Sequence, residues 1–185
     1  MHMNKYAILR SRRMAIISVF GSNGNLEDEV LEIAQAVGKL IVDMGHRVCC
    51  GGRGGVMEAV GKGARLSENW TGDQVIGLMP ESDDSNANEY LDLVMPTGLG
   101  LFRNTLVAQT GEVCISIAGG AGTLSEIAFA WQIGKPIAAM SNSGGWSEKL
   151  AGEHLDHRFP DRPVADLKSV SELEVWINQQ IDNKR

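Results

Sequence analysis

A glycine-rich turn followed by a carboxylate is the first feature of this sequence that could do chemistry. The stretch "AGGAGTLSEI", residues 118–127, follows the apolar run "EVCISI" and leads into "AFAWQIG". Gly119, Gly120 and Gly122 place no side chain before the helix, so a phosphate could approach several backbone N–H groups. Glu126, on the first turns of that helix, would then face the sugar of a bound nucleotide.

The same stretch also has a purely structural interpretation. Thr123 and Glu126 have the T-x-x-E spacing of a capping box, in which the glutamate accepts a hydrogen bond from the backbone of the cap. A cap does not require the preceding Gly-Gly-Ala-Gly, and the two roles can coexist.

A second glycine-rich turn, "GGRGGV" at residues 51–56, joins an apolar run to the helical pattern "GVMEAVGKGARL". Its N–H groups should meet an anion at a helix N-terminus. The turn is not G-x-G-x-x-G, because Met57 stands at the third glycine, and it is not a Walker A loop, because Gly63 replaces the Ser/Thr. The structural alternative is tight chain reversal with close helix packing through Gly61 and Ala64.

Arg103 lies near the start of a predicted helix in "GLGLFRNTLV". The helix macrodipole disfavours a cation there unless an anion is also present. A guanidinium can bind a phosphate or a carboxylate in bidentate fashion. We therefore expect Arg103 to bind a ligand anion, with a salt bridge to Glu126 or Glu58 as the structural alternative.

Strands and helices alternate along the chain and must position these turns. The pattern predicts six or seven short, parallel strands in one Rossmann-like, doubly wound α/β domain over residues 14–185, preceded by an N-terminal extension over residues 1–13. Ligands bind beyond the carboxyl ends of such strands. Three glycine-rich turns lie at such ends, in chain order "FGSNGN" (20–25), "GGRGGV" (51–56) and "AGGAGT" (118–123). We expect Asn25 to cap the first helix and Ser171 and Glu174 to form a capping box on the last helix. Residues 81–90 should form a mobile acidic loop near the carboxyl edge of the sheet, where the ligand is expected. The predicted strands lie in "MAIISVFGS", "RVCCGG", "QVIGLMP", "LDLVMPTG", "EVCISIAGG", "KPIAAMSN" and "PVADLKS".

Charge and composition disfavour several classes of function. Seventeen Lys and Arg against 23 Asp and Glu give a net charge of −6, which argues against a nucleic-acid or anionic-membrane surface. The three cysteines lie in apolar runs, as buried thiols of a cytoplasmic protein do. His154 and His157 share a helical spacing but lack a third ligand, so we predict no metal site. The apolar helix at residues 124–133 predicts a homodimer face, with burial within one subunit as the alternative.

Three motifs in this order, "GGRGGVMEAVGKGA", "TGLGLFRNTLV" and "GGAGTLSEIAFAWQIGKPI", resemble the LOG-like Rossmann superfamily (SLOG). This superfamily includes molybdenum-cofactor carrier proteins and cytokinin nucleotide phosphoribohydrolases. The resemblance covers residues 14 to about 140. Arg103 and Glu126 fall on the catalytic arginine and glutamate of the hydrolases, whereas Asn104 replaces their lysine and Ala118 their proline. The sequence is closer to the carriers at these residues: Thr97, Gly98, Leu99, Gly100, Arg103, Gly120, Gly122, Thr123, Glu126, Ile127, Ala128, Lys135 and Pro136.

The resemblance implies a ligand with a phosphate and a heterocycle, either the molybdenum cofactor (molybdopterin) or a nucleoside monophosphate. It favours a carrier-like binding protein, with a phosphoribohydrolase that uses Arg103 and Glu126 as the alternative. A DNA-processing relative is disfavoured by the acidic charge. The implied binding residues are Gly21, Ser22, Gly51, Gly52, Arg53, Gly54, Gly55, Val56, Met57, Gly98, Arg103, Asn104, Gly119, Gly120, Ala121, Gly122, Thr123 and Glu126.

Overall fold

Seven strands alternate with six α-helices between residues 14 and 182, which are the residues that the computed structural model describes. The extension expected over residues 1–13 lies outside them. The strands are β1 Ile16–Gly21, β2 Arg47–Cys50, β3 Val75–Met79, β4 Leu93–Pro96, β5 Val113–Ile117, β6 Ile137–Met140 and β7 Ala165–Leu167. The helices are α1 Asp28–Asp43, α2 Val56–Ala64, α3 Arg103–Thr110, α4 Ala121–Gln132, α5 Gly145–Leu150 and α6 Val170–Asp182, with 3₁₀ turns at Gly100–Phe102 and Ser141–Ser143.

All seven strands form one parallel sheet with the order β4-β3-β2-β1-β5-β6-β7. The chain leaves β1 in one direction through β2 to β4 and then returns to the other side of β1 with β5. The predicted doubly wound sheet in a single α/β domain is confirmed. The order reverses between β1 and β5, whose carboxyl ends meet where Gly21 pairs with Ile117, and this switch point is where such folds bind ligands.

The strands beside the switch point are apolar because helices cover both faces of the sheet. Every residue of β3 and β5 is buried, as are the four central residues of β1. Such continuous burial is typical of parallel strands. The edge strand β4 differs, since all four of its residues are exposed.

Two glycines let α1 and α2 pack backbone against backbone on one face of the sheet. A Cβ added to Gly38 would lie 2.0 Å from the carbonyl oxygen of Val60, and one added to Gly63 would lie 1.9 Å from that of Gln35. Neither distance is possible for real atoms, so any larger residue at either position must separate the helices. Ala64 is buried on α2 as predicted. Gly61 packs closely, but against Tyr90, which is not in a helix: a Cβ on Gly61 would lie 2.8 Å from Tyr90 Cβ.

The first helix begins without a side-chain cap. Glu27, and not the predicted Asn25, is its N-cap residue, and no side chain makes a capping hydrogen bond there. Asp28 and Glu29 in the first turn instead place negative charge beside the positive end of the macrodipole.

The last helix has a capping arrangement two residues earlier than the sequence predicted. The backbone N–H of Glu172 donates to Ser169 Oγ at 3.2 Å, and the Glu172 carboxylate accepts from the N–H of Lys168 at 2.7 Å. The pattern S-x-x-E thus occurs at 169–172 and not at 171–174. Among residues 14–182, no helix has the length and apolarity that crossing a membrane would need.

The α1–α2 packing predicts that Gly63→Ala destabilises the fold. Alanine gains up to about 1 kcal/mol of intrinsic helix stability over glycine, but overpacking typically costs about 1–3 kcal/mol. We expect the overpacking to win, because the obstacle is the backbone carbonyl of Gln35. Urea denaturation should show a lower free energy of unfolding for Gly63→Ala than for Lys62→Ala, which alters an exposed residue of the same helix. Equal stabilities would contradict this account.

Candidate functional site

A pocket of about 250 Å³ opens at the carboxyl ends of β1, β2 and β5, at the switch point of the sheet. Three segments that are distant in the sequence meet there: the turn after β1, the turn after β2 and the start of α4. The start of α3 covers them. The lining residues are Val19, Gly21, Ser22, Asn23, Gly51, Arg53, Met57, Leu101, Arg103, Asn104, Gly120, Gly122, Thr123 and Glu126.

Most of the residues predicted for the site line this pocket. Gly52, Gly54, Gly55, Val56, Gly98, Gly119 and Ala121 do not. Several of these shape the turns instead. Gly55 has a φ of 65°, and a Cβ there would lie 2.4 Å from the carbonyl oxygen of Ser22, so only glycine lets the first two turns approach each other.

A buried ion pair forms the floor of the pocket. Arg103 Nη1 donates to Glu126 Oε1 at 3.1 Å, and the two residues are only 8% and 5% exposed. The structural alternative predicted for Arg103, a salt bridge to Glu126, is therefore present, and it is compatible with ligand binding. Arg103 Nε is buried with no hydrogen-bond partner in the described part of the chain.

Arg103 reaches this position because Gly51 lacks a side chain. A Cβ on Gly51 would lie 2.4 Å from Arg103 Nη2. The guanidinium thus packs directly against the backbone of the second glycine turn. The cation at the start of α3 is balanced by the carboxylate of Glu126 and not by an anion on its own helix.

Burial raises the pKa of the Glu126 carboxyl to about 8, although the charge and hydrogen bond of Arg103 act in the opposite direction. Removing a carboxylate from water disfavours its ionised form, and one guanidinium only partly offsets that cost. A carboxyl group that titrates near neutral pH can both donate and accept a proton.

The turn before α4 leaves space for a ligand. Gly120 is the N-cap residue of α4, and a Cβ added to it would meet no atom within 4 Å. Thr123 lies inside the first turn, and no side chain caps this helix. The predicted Thr123–Glu126 capping box is therefore wrong, since Glu126 pairs with Arg103.

The residue that precedes these glycines is strained. Ala118 has a φ of 52°, and it is the one non-glycine residue with positive φ among those described. Two buried serines hold it: the Ala118 N–H donates to Ser143 Oγ at 2.6 Å, and Ser147 Oγ donates to the Ala118 carbonyl oxygen at 2.7 Å. Strain of this kind typically occurs at functional sites.

Asn104 holds the other side of the same turn. Its amide nitrogen donates to Ser125 Oγ at 2.8 Å and to the Gly122 carbonyl oxygen at 3.4 Å. The residue is 6% exposed and still lines the pocket. A neutral amide therefore stands beside the ion pair.

Three lining residues were missed by the sequence analysis. Asn23 lies inside the first glycine turn, "FGSNGN", and that turn was a signal for it. Val19 looks like any apolar strand residue. Leu101 is 83% exposed on the 3₁₀ turn before α3, and no sequence pattern indicated that it would reach the pocket.

The helix predicted as a homodimer face is largely covered by its own subunit. Ile127 and Trp131 are buried, and Trp131 contacts the rings of His154 and Phe159 edge-on. The alternative of burial within one subunit therefore accounts for these residues, while Ile133 stays exposed. A homodimer remains a prediction.

The two histidines of "HLDH" do not line the pocket. His154 Nε2 lies 2.9 Å from the carbonyl oxygen of Pro160. Within residues 14–182, no group of three or more His, Cys, Asp or Glu side chains could hold a metal ion.

Comparison with known proteins identifies relatives over nearly the whole described chain. The sequence profile of the SLOG cluster4 family matches residues 14–173. An uncharacterized protein of Archaeoglobus fulgidus is 39% identical over 124 residues, which are 67% of this chain and 78% of that one. The cytokinin riboside 5′-monophosphate phosphoribohydrolase of Mycobacterium tuberculosis is 30% identical over 141 residues, with coverages of 69% and 71%.

Solved structures show the same fold. An X-ray structure from a structural-genomics consortium has a TM-score of 0.81 at 30% identity, covering 90% of this chain and 99% of the other. The molybdenum cofactor binding protein of Rippkaea orientalis has a TM-score of 0.76 at 29% identity, with coverages of 91% and 98%. The molybdenum cofactor carrier protein of Chlamydomonas reinhardtii has a TM-score of 0.75 at 26% identity, with coverages of 91% and 99%.

The raised pKa of Glu126 predicts a pH-dependent stability. The unfolded chain releases this proton near pH 4.5, whereas the folded protein keeps it to about pH 8. The folded state is therefore favoured at low pH, and its stability falls as the pH rises between these values, by at most about 1.4 kcal/mol per pH unit. In urea denaturation at pH 5, 6, 7 and 8, the free energy of unfolding should fall more steeply for the wild type than for Glu126→Gln. Parallel curves would argue against a raised pKa.

Proposed function

Since the chain belongs to the SLOG cluster4 family, we propose that it binds a phosphate-bearing pterin cofactor or nucleotide, as a molybdenum-cofactor carrier does. The proposed ligand site is the pocket at the β1–β5 switch point. Among the residues predicted to bind the ligand, those that line this pocket would bind its phosphate. Binding would leave the ligand chemically intact.

One observation carries this proposal: a buried guanidinium with an unpartnered N–H lies beside two glycine-rich helix starts. Arg103 Nε has no hydrogen-bond partner in residues 14–182, and an unmet buried donor is costly. Gly120 leaves open space at the N-terminus of α4, where partial positive charge favours an anion. A phosphate at the start of α4 would meet that partial charge and the guanidinium of Arg103, which lines the same pocket.

The pocket is suited to the phosphate end of the molybdenum cofactor or of a nucleotide. Its volume of about 250 Å³ lies below the roughly 300–1,000 Å³ of sites that enclose a whole small-molecule ligand. The heterocycle would therefore extend past the rim, where Leu101 and Phe102 are 83% and 76% exposed and offer apolar surface. Since the described residues gather no cluster of metal ligands, we propose no metal held by protein side chains.

Two residues favour a carrier over a hydrolase. Asn104 supplies a neutral amide where the phosphoribohydrolases resembled by this chain have a lysine. Ala118 has a φ of 52°, a conformation closed to the proline of those enzymes, because proline holds φ near about −65°. The turn at residues 118–122 is therefore built differently from a Pro-Gly-Gly turn.

A phosphoribohydrolase is the second candidate, supported by the M. tuberculosis relative. Water would add its hydroxyl to the anomeric carbon while the N-glycosidic bond breaks, and its proton would pass to the departing base, giving free base and ribose 5-phosphate. The ionised Glu126 would stabilise the cationic, oxocarbenium-like sugar and orient the water. Arg103 would hold the phosphate or the departing base.

We also propose a cytoplasmic homodimer. The three cysteines, Cys49, Cys50 and Cys114, are all buried, which suits a reducing compartment. Ile133, at the end of the helix predicted as a homodimer face, is exposed, and a second subunit would cover it.

The binding proposal predicts that loss of Arg103 weakens the affinity for AMP. Arg103→Ala alone would leave the Glu126 carboxyl buried without its partner, so the comparison is between Glu126→Gln and Arg103→Ala/Glu126→Gln. Truncating an arginine that pairs with a desolvated anion typically costs about 2–5 kcal/mol. Isothermal titration calorimetry should show a loss of that order in the double variant. Equal affinities would remove Arg103 from the binding site.

Chemical analysis separates the two candidate functions. We expect the protein to leave AMP and N6-isopentenyl-AMP intact on incubation, with no free base on chromatography. Base release that disappears in Glu126→Gln would instead establish a phosphoribohydrolase.

The carrier proposal also predicts that protein purified from cells that make the molybdenum cofactor carries a pterin, detectable by its fluorescence after denaturation.

A further inference from the structure

We infer that Arg53 is a second anchor for the ligand's phosphate and that Glu81 competes with the ligand for it. The inference rests on the proposed phosphate-binding function of the same pocket. Glu81 would then be an anion of the protein itself that a ligand must displace from Arg53. The pocket would therefore discriminate between ligands by their charge.

Arg53 links the pocket to the acidic segment at residues 81–90. It lies on the turn after β2 and lines the pocket. One of its terminal nitrogens, Nη2, donates to Glu81 Oε1. The two side chains are 38% and 20% exposed, so solvent and a ligand can reach the pair.

The pair is only partly satisfied. Arg53 Nε and Glu81 Oε2 are both buried without a hydrogen-bond partner in the described chain. An arginine and a carboxylate that match fully make two parallel bonds, whereas this pair makes one. Each unmet polar atom disfavours the present pairing. A phosphate offers Arg53 several oxygens and could satisfy both of its N–H groups.

The backbone around the pair is held independently of it. Asn88 Nδ2 donates to the carbonyl oxygens of Gly52 at 3.0 Å and Arg53 at 2.8 Å, and the Asn88 N–H donates to Gly52 O at 3.0 Å. The acidic segment, predicted to be mobile, is therefore fastened to the glycine turn at a second point. Arg53 can exchange Glu81 for a ligand by rotating its side chain, and the turn need not move.

This competition selects for highly charged ligands. Glu81 stays ionised at neutral pH, because its hydrogen bond with Arg53 lowers the pKa of its carboxyl. A neutral nucleoside offers nothing to replace the carboxylate, and a phosphodiester carries a single charge. A terminal phosphate monoester carries nearly two charges at pH 7, and Arg103 and Arg53 both line the pocket that would receive it. We therefore expect a phosphate monoester to displace Glu81 from Arg53 better than a phosphodiester or a neutral nucleoside does.

Calorimetric titration with AMP and with inorganic pyrophosphate tests the competition. We expect Arg53→Gln to weaken AMP binding by about 10- to 100-fold, the range for a hydrogen bond to a charged group. Glu81→Gln should tighten it by up to about fivefold, as loss of a partly exposed ion pair allows. Arg53→Gln/Glu81→Gln should bind as weakly as Arg53→Gln, because Glu81 acts only through Arg53.

Matched controls remove the same charges away from the pocket. Lys39→Gln removes a positive charge from α1, and Glu68→Gln removes a negative charge beyond the end of α2; both residues are exposed. Neither change should alter AMP affinity by more than about twofold, since charges beyond a Debye length are screened. Melting temperatures of all variants show whether a weak binder is folded, and Arg53→Lys, which keeps the charge, should bind AMP better than Arg53→Gln.

The outcomes separate this inference from the proposed function. If AMP binding depends on Arg103 while Glu81→Gln leaves it unchanged or weaker, the competition is overturned and the proposed function stands. If the wild type binds neither probe but Glu81→Gln binds one, the competition is supported. Binding of neither probe to any folded variant overturns both.

Discussion

The buried ion pair between Arg103 and Glu126 is the interaction on which the pocket depends. It places a guanidinium and a carboxyl group, each less than a tenth exposed, at the switch point of the sheet. Removing both from water is expensive, and the single hydrogen bond at 3.1 Å does not satisfy every polar atom that is buried with it. A hydrophobic pair would stabilise the same position at lower cost. Stability alone therefore does not explain the pair.

Glycines allow the three turns of the chain that surround this pair to approach it closely. The guanidinium of Arg103 occupies the space that a side chain at Gly51 would fill. Gly55 lets the turn after β2 contact the turn after β1 at Ser22. Gly120 instead leaves its space empty. Glycines that look alike in the sequence thus differ in the structure: Gly51 and Gly55 permit contact within the protein, and Gly120 leaves open space beside a helix N-terminus.

The strained turn at Ala118 connects the fold to the choice between binding and hydrolysis. Its positive φ is maintained by hydrogen bonds with two buried serines that follow β6: Ser143 accepts from the Ala118 N–H, and Ser147 donates to the Ala118 carbonyl oxygen. The segment after the neighbouring strand therefore compensates the strain. Asn104 reinforces the other end of the turn. The two positions at which this chain departs from the hydrolase pattern therefore take part in one set of hydrogen bonds that holds the turn, and the amide of Asn104 adds no charge to it.

The sequence by itself determined the parallel sheet, the approximate position of each strand, and the three glycine turns at the carboxyl edge. These depend on local apolar runs and on the rule that parallel strands end at one edge. It also singled out Arg103, because a cation at a helix start conflicts with the macrodipole. Only the tertiary structure decided that Thr123 caps no helix and that Leu101 lines the pocket. It also decided which carboxylate pairs with Arg103 and that Arg53 pairs with Glu81. These contacts join residues 23 and 28 positions apart, and their distances depend on how the helices pack across the sheet.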